Sequence, residues 1–496
     1  MRKILAMALL LAVVVAAQFM ASRQRADVTV TRETIAGTPV EYYRGSAPPG
    51  YVAIVVHGYA GSKELMKPWG YYLARQGFET YVIDQPGHGD STTPLPPWTS
   101  TGNNALGENL RQVISSLVES GRARPGAIAL VGHSMGGTAV TTAAMADERV
   151  AATVALSSAY RAPLPADKPA KFLGLAAERD PAFMVEAVQA MSTQPGSREA
   201  GVIAGRNHIT ILYDAQVMAR AAAWIGAGLG IKQAATNVDA SFGWGWIAIA
   251  LAGALGLVVA VGWFLAPAVQ QRGARSNSRI GLLTGLVMVS VAALSAVLAV
   301  AYVRVPWLRM GVVDYLFPYF VVMALVLLVL RLLWPRDYGY PVASDSPANL
   351  GHTLRGLGVF LGLLGAVGSV VHTSLSNFML NSPRVLPLVV LALAYWVYFA
   401  QEEGLKRAVA GSLGGWAAWV VGVAGKVVIV LTWLMASALP NPQPFLPLVV
   451  PVIAVVLVFL ETTSQVLRQW RYSAAGSATF MALTLAWVTA ATFPLQ

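Results

Sequence analysis

The stretch "ALVGHSMGGTAV", residues 129–140, sets a serine between glycines inside an apolar run of small residues. It continues the strand-like "AIALVG" and opens a helix-like pattern over 134–146, so Ser134 stands at a strand-to-helix turn. A G-x-S-x-G pentapeptide in that setting makes a nucleophile elbow. The serine hydroxyl projects from a strained turn, and Gly132 and Gly136, two residues before and after it, must lack side chains. Gly137 extends the clearance. A serine that only closes a tight turn is the alternative reading.

Working outward, residues 27–231 alternate between two periodicities. "DVTVTRETI" and "PVEYYR" read as a hairpin, and "YVAIVVHG", "FETYVID", "AIALVG", "VAATVALSS", "AKFLGLAA" and "REAGVIAG" read as further strands. Helical patterns lie near 63–77, 103–121, 134–146, 181–192 and 211–226. Apolar strands separated by amphipathic helices imply a mainly parallel sheet covered on both faces. In such sheets the reactive residues sit in loops at the carboxyl ends of the strands.

A serine hydroxyl is a weak nucleophile and needs a base. This part of the chain offers His57, His88, His133 and His208. His133 lies inside the elbow and His57 and His88 in earlier turns, whereas His208 follows the last strand in "GRNHIT". The acid is expected between nucleophile and base, and "FLGLAAERDPAF" supplies Glu178 and Asp180. Asp180 holds the loop-tip position, where it would orient the imidazole; Glu178 is its rival. Two backbone donors should face the developing oxyanion. Met135, directly after the nucleophile, supplies one. Tyr59 in "HGY" is assigned the other, with Gly58 allowing close approach and His57 and His133 in supporting places.

"VVHGYAGS", "VIDQPGHGDS", "GHSMGG", "AERDPAF" and "GRNHIT", in this order and spacing, resemble the α/β-hydrolase superfamily over residues 28–228, in its esterase, lipase and serine-aminopeptidase-like branches. The resemblance implies a triad of Ser134, Asp180 and His208, with Tyr59 and Met135 in the oxyanion positions. His88, in the family's post-strand turn, reads as structural. Only about 15 residues, "SAYRAPLPADKPAKF", follow the strand after the elbow helix, too few for the helical cap that many lipases insert there.

The rest of the chain is of another kind. Hydrophobic residues make up 56% of the sequence and charged ones 12%, about half the charged fraction usual in soluble proteins. Residues 22–241 carry 19 basic against 18 acidic residues, but residues 242–496 carry 14 against 6 among long apolar runs. The net charge of +11 therefore belongs mainly to the apolar half, and no basic stripe with interleaved aromatics suggests nucleic acid. With 0 cysteines, disulfides and thiolate metal sites are excluded, and no cofactor or metal is expected.

Arg2 and Lys3 precede some 18 uncharged residues, which fits a signal anchor over 1–22 better than a short cleavable signal peptide. A hydrolase domain over 23–231 and a linker over 232–243 would follow. The remainder, 244–496, would be a transmembrane domain of about eight spans, near 244–266, 280–302, 314–333, 356–379, 385–401, 412–437, 446–463 and 476–493. With the N-terminus inside, the inner connections gather Arg2, Lys3, Arg272, Arg275, Arg279, Arg331, Arg336, Arg355, Lys406, Arg407, Arg468 and Arg471. The outer loops hold only Arg304, Arg309 and Arg384. That asymmetry places the hydrolase domain on the extracytoplasmic face of a plasma or inner membrane. Lys426 lies within a span, a candidate for function whose long stem can also snorkel to the interface; His372 and Asn377 fall near an outer end, placed for helix–helix hydrogen bonds or toward the hydrolase site. The spans show no ordered set of acids of the kind a proton relay needs.

The expected function is a membrane-integral serine hydrolase that cleaves carboxylic esters, lipid esters among them, through an acyl-enzyme. Its partners would be a small-molecule or lipid ester and the bilayer. Acyl transfer to a lipid or envelope glycan, a transporter with a regulatory hydrolase-fold domain, and peptidase activity are the competing readings.

Overall fold

The computed structural model describes all residues except 46–49, 98–99, 161, 193, 195, 232–239, 268–277, 304, 336–349 and 441–444. Most of the expected linker therefore lies outside the described residues, as do Arg272, Arg275, Arg304 and Arg336.

Eight strands form one sheet: β1 (Thr29–Ile35), β2 (Thr38–Arg44), β3 (Val52–Val56), β4 (Glu79–Ile83), β5 (Ile128–His133), β6 (Val150–Leu156), β7 (Phe172–Ala177) and β8 (Arg198–Ile203). Their order is β1-β2-β4-β3-β5-β6-β7-β8. The β1–β2 and β2–β4 pairings are antiparallel and all others parallel. Side chains alternate between faces along a strand. In β3, Ala53 and Val55 join a core with Trp69, Leu73 and Phe78, while Val52, Ile54 and Val56 join another with Leu110, Val113 and Leu117. Because both faces are covered, β3 is an unbroken apolar run and every residue of it is buried.

The helices between the strands are α2 (Lys67–Arg75), α3 (Ser100–Glu119), α4 (Met135–Ala146), α5 (Ala182–Ser192) and α6 (Ala215–Gly228). Asp214 caps α6, accepting hydrogen bonds from the N–H groups of Gln216 and Val217. Between β6 and β7 the described residues form no helix. A mostly parallel sheet with helices on both faces and no large cap is the expected fold class.

Before the sheet comes α1 (Arg2–Arg23), and after it α7 (Trp244–Leu265), α8 (Leu282–Tyr302), α9 (Val313–Leu333), α10 (Leu350–Ser374), α11 (Val385–Leu413), α12 (Gly415–Met435), α13 (Leu446–Gln469) and α14 (Ala474–Thr492). Among the described residues these nine helices are long and apolar enough to cross a membrane. The chain divides into two compact units: residues 1–14, 251–369 and 380–493, and residues 15–250, 370–379 and 494–496.

One boundary differs from the sequence reading in a way that matters. The span expected over 385–401, with Lys406 and Arg407 in a loop beyond it, is one helix that runs on to Leu413. It ends at Gly414, whose φ of 90° is open to glycine and strained for other residues. Hydropathy counts each of Glu402, Glu403, Lys406 and Arg407 as solvated. Lys406 is instead fully buried beside Glu403 and Glu461, and paired charges of opposite sign let the helix continue through them.

Candidate active site

Three loops at the carboxyl ends of β5, β7 and β8 converge. Ser134 follows β5 directly, with φ 55° and ψ −116°, a left-handed conformation that costs a non-glycine residue of order 1–3 kcal/mol. The elbow is held because the Ser134 N–H donates to the Leu156 carbonyl at 2.8 Å. A Cβ at Gly132 would lie 2.2 Å from the Gly136 carbonyl oxygen, and one at Gly136 would lie 2.4 Å from the His57 carbonyl oxygen. Only glycine fits at either place.

His208, in the loop after β8, lies with Nε2 3.0 Å from Ser134 Oγ. Its other ring nitrogen, Nδ1, is 2.6 Å from Asp180 Oδ1. With Nδ1 carrying the proton toward the carboxylate, Nε2 is left to accept from the serine hydroxyl. Asp180 Oδ2 accepts two further hydrogen bonds, from the Ala177 N–H at 2.7 Å and from Ser157 Oγ at 2.5 Å. Burial pushes the Asp180 carboxyl up, but the hydrogen bonds from His208 and Ser157 outweigh it and hold the group below its ordinary value. Asp180 is thus kept as an anion. The Asp180 side chain is sealed from solvent, whereas that of His208 is 15% exposed.

The rival acid goes elsewhere: Glu178 accepts from the Gly205 N–H at 2.6 Å, on the exposed side of the loop. His133 donates from Nε2 to the His208 carbonyl at 2.8 Å, which anchors the backbone of the His208 loop. Burial, helped by nearby His208, pushes His133 down to about 3, so its ring is neutral.

The assigned oxyanion donors flank the serine. Met135 is the first residue of α4, and Tyr59 lies in the loop after β3. A Cβ on Gly58 would be 2.9 Å from Ser134 Cβ, so the backbone next to Tyr59 passes against Ser134. Two histidines tie this loop to the turn after β4. His57 Nδ1 donates to the Gly58 carbonyl at 2.8 Å and its Nε2 accepts from the Gln85 N–H at 3.0 Å. His88 Nε2 accepts from the Ala60 N–H at 3.2 Å, and Nδ1 donates to the Pro86 carbonyl at 2.9 Å. Burial pushes His57 down to about 4. Both rings cross-link the two loops, each through hydrogen bonds at both of its nitrogens. Leu95, Leu106, Met135 and Ala139 form an apolar cluster on this side, with Tyr59 packed against it.

Sequence reasoning missed two contributors, Ser157 and Lys63. Ser157, at the end of β6, has φ 47° and presents its hydroxyl to Asp180. Its position at a strand end between the elbow and acid strands is a signal it shares with Ser158 and does not single it out. Lys63 is 1% exposed and bridges Asp84 at 2.7 Å and Asp90 at 2.6 Å, clamping the far end of the Tyr59 loop. Residues 370–379 belong to the same unit: the Asn377 N–H donates to Ser62 Oγ at 3.0 Å, and Lys67 Nζ donates to the Thr373 carbonyl at 3.2 Å. Of the two places open to Asn377 from sequence, it takes the one toward the hydrolase fold and serves the loop that follows β3.

Residues 52–223 match the family described as alpha/beta hydrolase fold, which covers the elbow, Asp180 and His208. This part of the chain has an α/β-hydrolase fold, and the apolar helices follow it. Among solved structures it is similar to TT1662 from Thermus thermophilus, at 21% identity over 41% of this chain and 99% of that one, with a TM-score of 0.34. It is similar also to the esterase Pf2001 of Pyrococcus furiosus, at 16% identity over 42% and 95%, TM-score 0.34. An esterase/lipase from an uncultured bacterium is 14% identical over 41% and 86%, with a TM-score of 0.32. No curated protein matches the chain.

Proposed function

We propose that the chain is a membrane-integral serine hydrolase that cleaves carboxylic esters. The observation that carries this reading is the unbroken line from Ser134 Oγ through His208 to Asp180, at 3.0 and 2.6 Å. Ser134 Oγ attacks the acyl carbonyl carbon as its proton passes to His208 Nε2. Asp180 stabilises the imidazolium without taking the proton. The N–H groups of Met135 and Tyr59 hold the oxyanion, a contribution of about 10²–10³ in rate per donor. His208 then protonates the departing alcohol, and a water activated by the same ring releases the free acid. The apolar cluster around Met135 favours an apolar acyl group.

We read residues 1–22 as a signal anchor, 23–231 as the hydrolase domain, 232–243 as a linker and 244–496 as the membrane domain. The excess of Lys and Arg in alternate connections supports a hydrolase domain on the extracytoplasmic face. A lipid ester would then meet the site at high local concentration.

Ser134→Ala should abolish labelling by a fluorophosphonate probe and hydrolysis of an acyl ester series. Equal labelling of the variant would end the assignment. Sidedness is open to a direct test, because the sequence has 0 cysteines. A single cysteine placed at exposed Glu148 should react with a membrane-impermeant maleimide in intact cells. Reaction only after lysis would reverse the topology.

A further inference from the structure

The unit made of residues 1–14, 251–369 and 380–493 encloses charges that have no part in the site above. Glu402, Glu403 and Lys406 of α11, Lys426 of α12, and Glu461 and Ser464 of α13 are each at most 3% exposed. Lys406 Nζ lies 2.6 Å from Glu403 Oε1 and donates at 3.0 Å to both oxygens of Glu461 and to Ser464 Oγ. Ser464 Oγ donates in turn to Glu403 Oε1 at 2.5 Å. Lys426 Nζ donates to Glu402 Oε1 and stands 3.7 Å from Glu461 Oε2. Far from snorkelling, Lys426 is turned inward.

The helices are shaped for these groups. A Cβ at Gly422 of α12 would fall 2.1 Å from Glu461 Oε1, and one at Gly425 would lie 3.6 Å from Glu402 Oε1. The Glu461 carboxylate thus rests against bare helix backbone at Gly422, whereas the Glu402 distance at Gly425 is ordinary contact and the close neighbour there is Val289 Cγ1, at 2.9 Å.

The three carboxylates are not equally satisfied. Glu461 is held by two lysines. Glu403 Oε1 has Lys406 and Ser464, while its Oε2, also buried with no hydrogen-bond partner among the described residues, has the charge of Arg407 Nη2 at 3.8 Å. Glu402 Oε1 accepts from Lys426 and from the Tyr398 hydroxyl at 3.0 Å, but its Oε2 is buried with no hydrogen-bond partner among the described residues. An ionised oxygen left that way is expensive, and a neutral carboxyl far less so. Buried ion networks add little stability over apolar packing, so their presence in apolar helices calls for a function.

We propose that this cluster is a proton-exchange centre, with Glu402 as the group that binds and releases the proton while Lys406 and Lys426 stay charged. One proton from solvent forms an O–H bond at the Glu402 carboxylate and returns to solvent on release. The Lys426–Glu402 ion pair thereby alternates with a hydrogen bond between a cation and a neutral acid. The groups facing Glu402 are Tyr398 and Lys406 on its own helix, Lys426 from α12 and Glu461 from α13. From α9 come Tyr319, bonded to Thr432 at 2.7 Å, and Arg331, which lies against Gly404. The sequence of α14 has no titratable side chain, and that of α8 has only Tyr302, which is exposed. The proposal is independent of the Ser134 reading.

Infrared difference spectroscopy on the full-length protein in lipid nanodiscs, between alkaline and mildly acidic buffer, tests it. A carbonyl stretch of a buried protonated carboxyl should appear on acidification and shift in deuterated water. The band should be absent in Glu402→Gln and present in Ser134→Ala. If Glu402→Gln fails to fold, the double variant Glu402→Gln/Lys426→Met leaves neither partner of that pair charged and should likewise lose the band. A wild type without the band, or a band that survives in whichever of these variants folds, would overturn the proposal.

Discussion

Replacement of Asp180 by Asn is the sharpest test of the proposed triad, because the structure dictates which way the new amide must face. Asp180 Oδ2 receives two donors, Ser157 Oγ and the Ala177 N–H. The hydroxyl could reverse its role, but the backbone N–H cannot. Turning an amide NH2 toward Ala177 would leave two buried donors face to face, at a cost of about 1–3 kcal/mol. The amide oxygen therefore takes the Oδ2 place, and the NH2 group is directed at His208 Nδ1, where the carboxylate now sits at 2.6 Å. Nδ1 must then accept, the ring proton moves to Nε2, and Nε2 no longer accepts from Ser134. The base is lost with the geometry nearly unchanged. A wrong-tautomer triad costs about 10⁴ in kcat, or roughly 5 kcal/mol of transition-state stabilisation. The assay is kcat and KM on a p-nitrophenyl ester series, with circular dichroism as a check on folding. A folded Asp180→Asn protein with kcat within about tenfold of wild type would refute the tautomer argument.

Ser157→Ala removes one of three hydrogen bonds to Asp180 and leaves the His208 contact in place. We expect kcat to fall by roughly tenfold with KM unchanged, since a hydrogen bond to a charged group contributes about 1.5–3 kcal/mol, of which only part reaches the transition state; an unchanged kcat would mean that Ser157 does not position the acid. Lys63→Met strands the fully buried Asp84 and should destabilise the hydrolase domain by about 3–5 kcal/mol, read as a lowered denaturant midpoint; an unshifted midpoint would show that Asp84 finds another partner. His57 and His133 are held neutral, pushed by burial down to about 4 and about 3, whereas unfolded histidines titrate near about 6.5. Below that value the unfolded chain binds protons that the folded one refuses, so stability is present above it and is lost as pH falls toward the folded values. The two rings together should remove roughly 3 kcal/mol per pH unit, and a melting temperature that stays flat between about pH 7 and about pH 5 would contradict this.

Much of the sheet was legible along the chain. The strands "YVAIVV" and "AIALVG" are short apolar runs because helices cover both of their faces. The elbow announces itself because its constraint is steric and local: the glycines two residues either side of Ser134 are required by atoms within the same turn. Asp180 and His208 could be proposed because each lies in the loop that follows a strand, in chain order after the serine. Ser157 could not, since nothing in "ALSSAY" says which of two adjacent serines turns toward a carboxylate that is 23 residues away in sequence.

The charged cluster marks the same limit from the other side. Read in one dimension, Lys406 and Arg407 end a span and Lys426 interrupts one, for hydropathy assigns every charge the same cost. In the folded unit Glu402, Glu403 and Glu461 supply counter-charges from other turns and another helix, and α11 runs on past them. The order of residues by itself determined what is set by neighbours in the chain: strand and helix periods, the elbow glycines and the apolar helix lengths. Which distant side chains share a proton or cancel a charge was decided only by tertiary structure, because electrostatic and hydrogen-bond energies depend on separations in space, and those exist only once the helices and strands have packed.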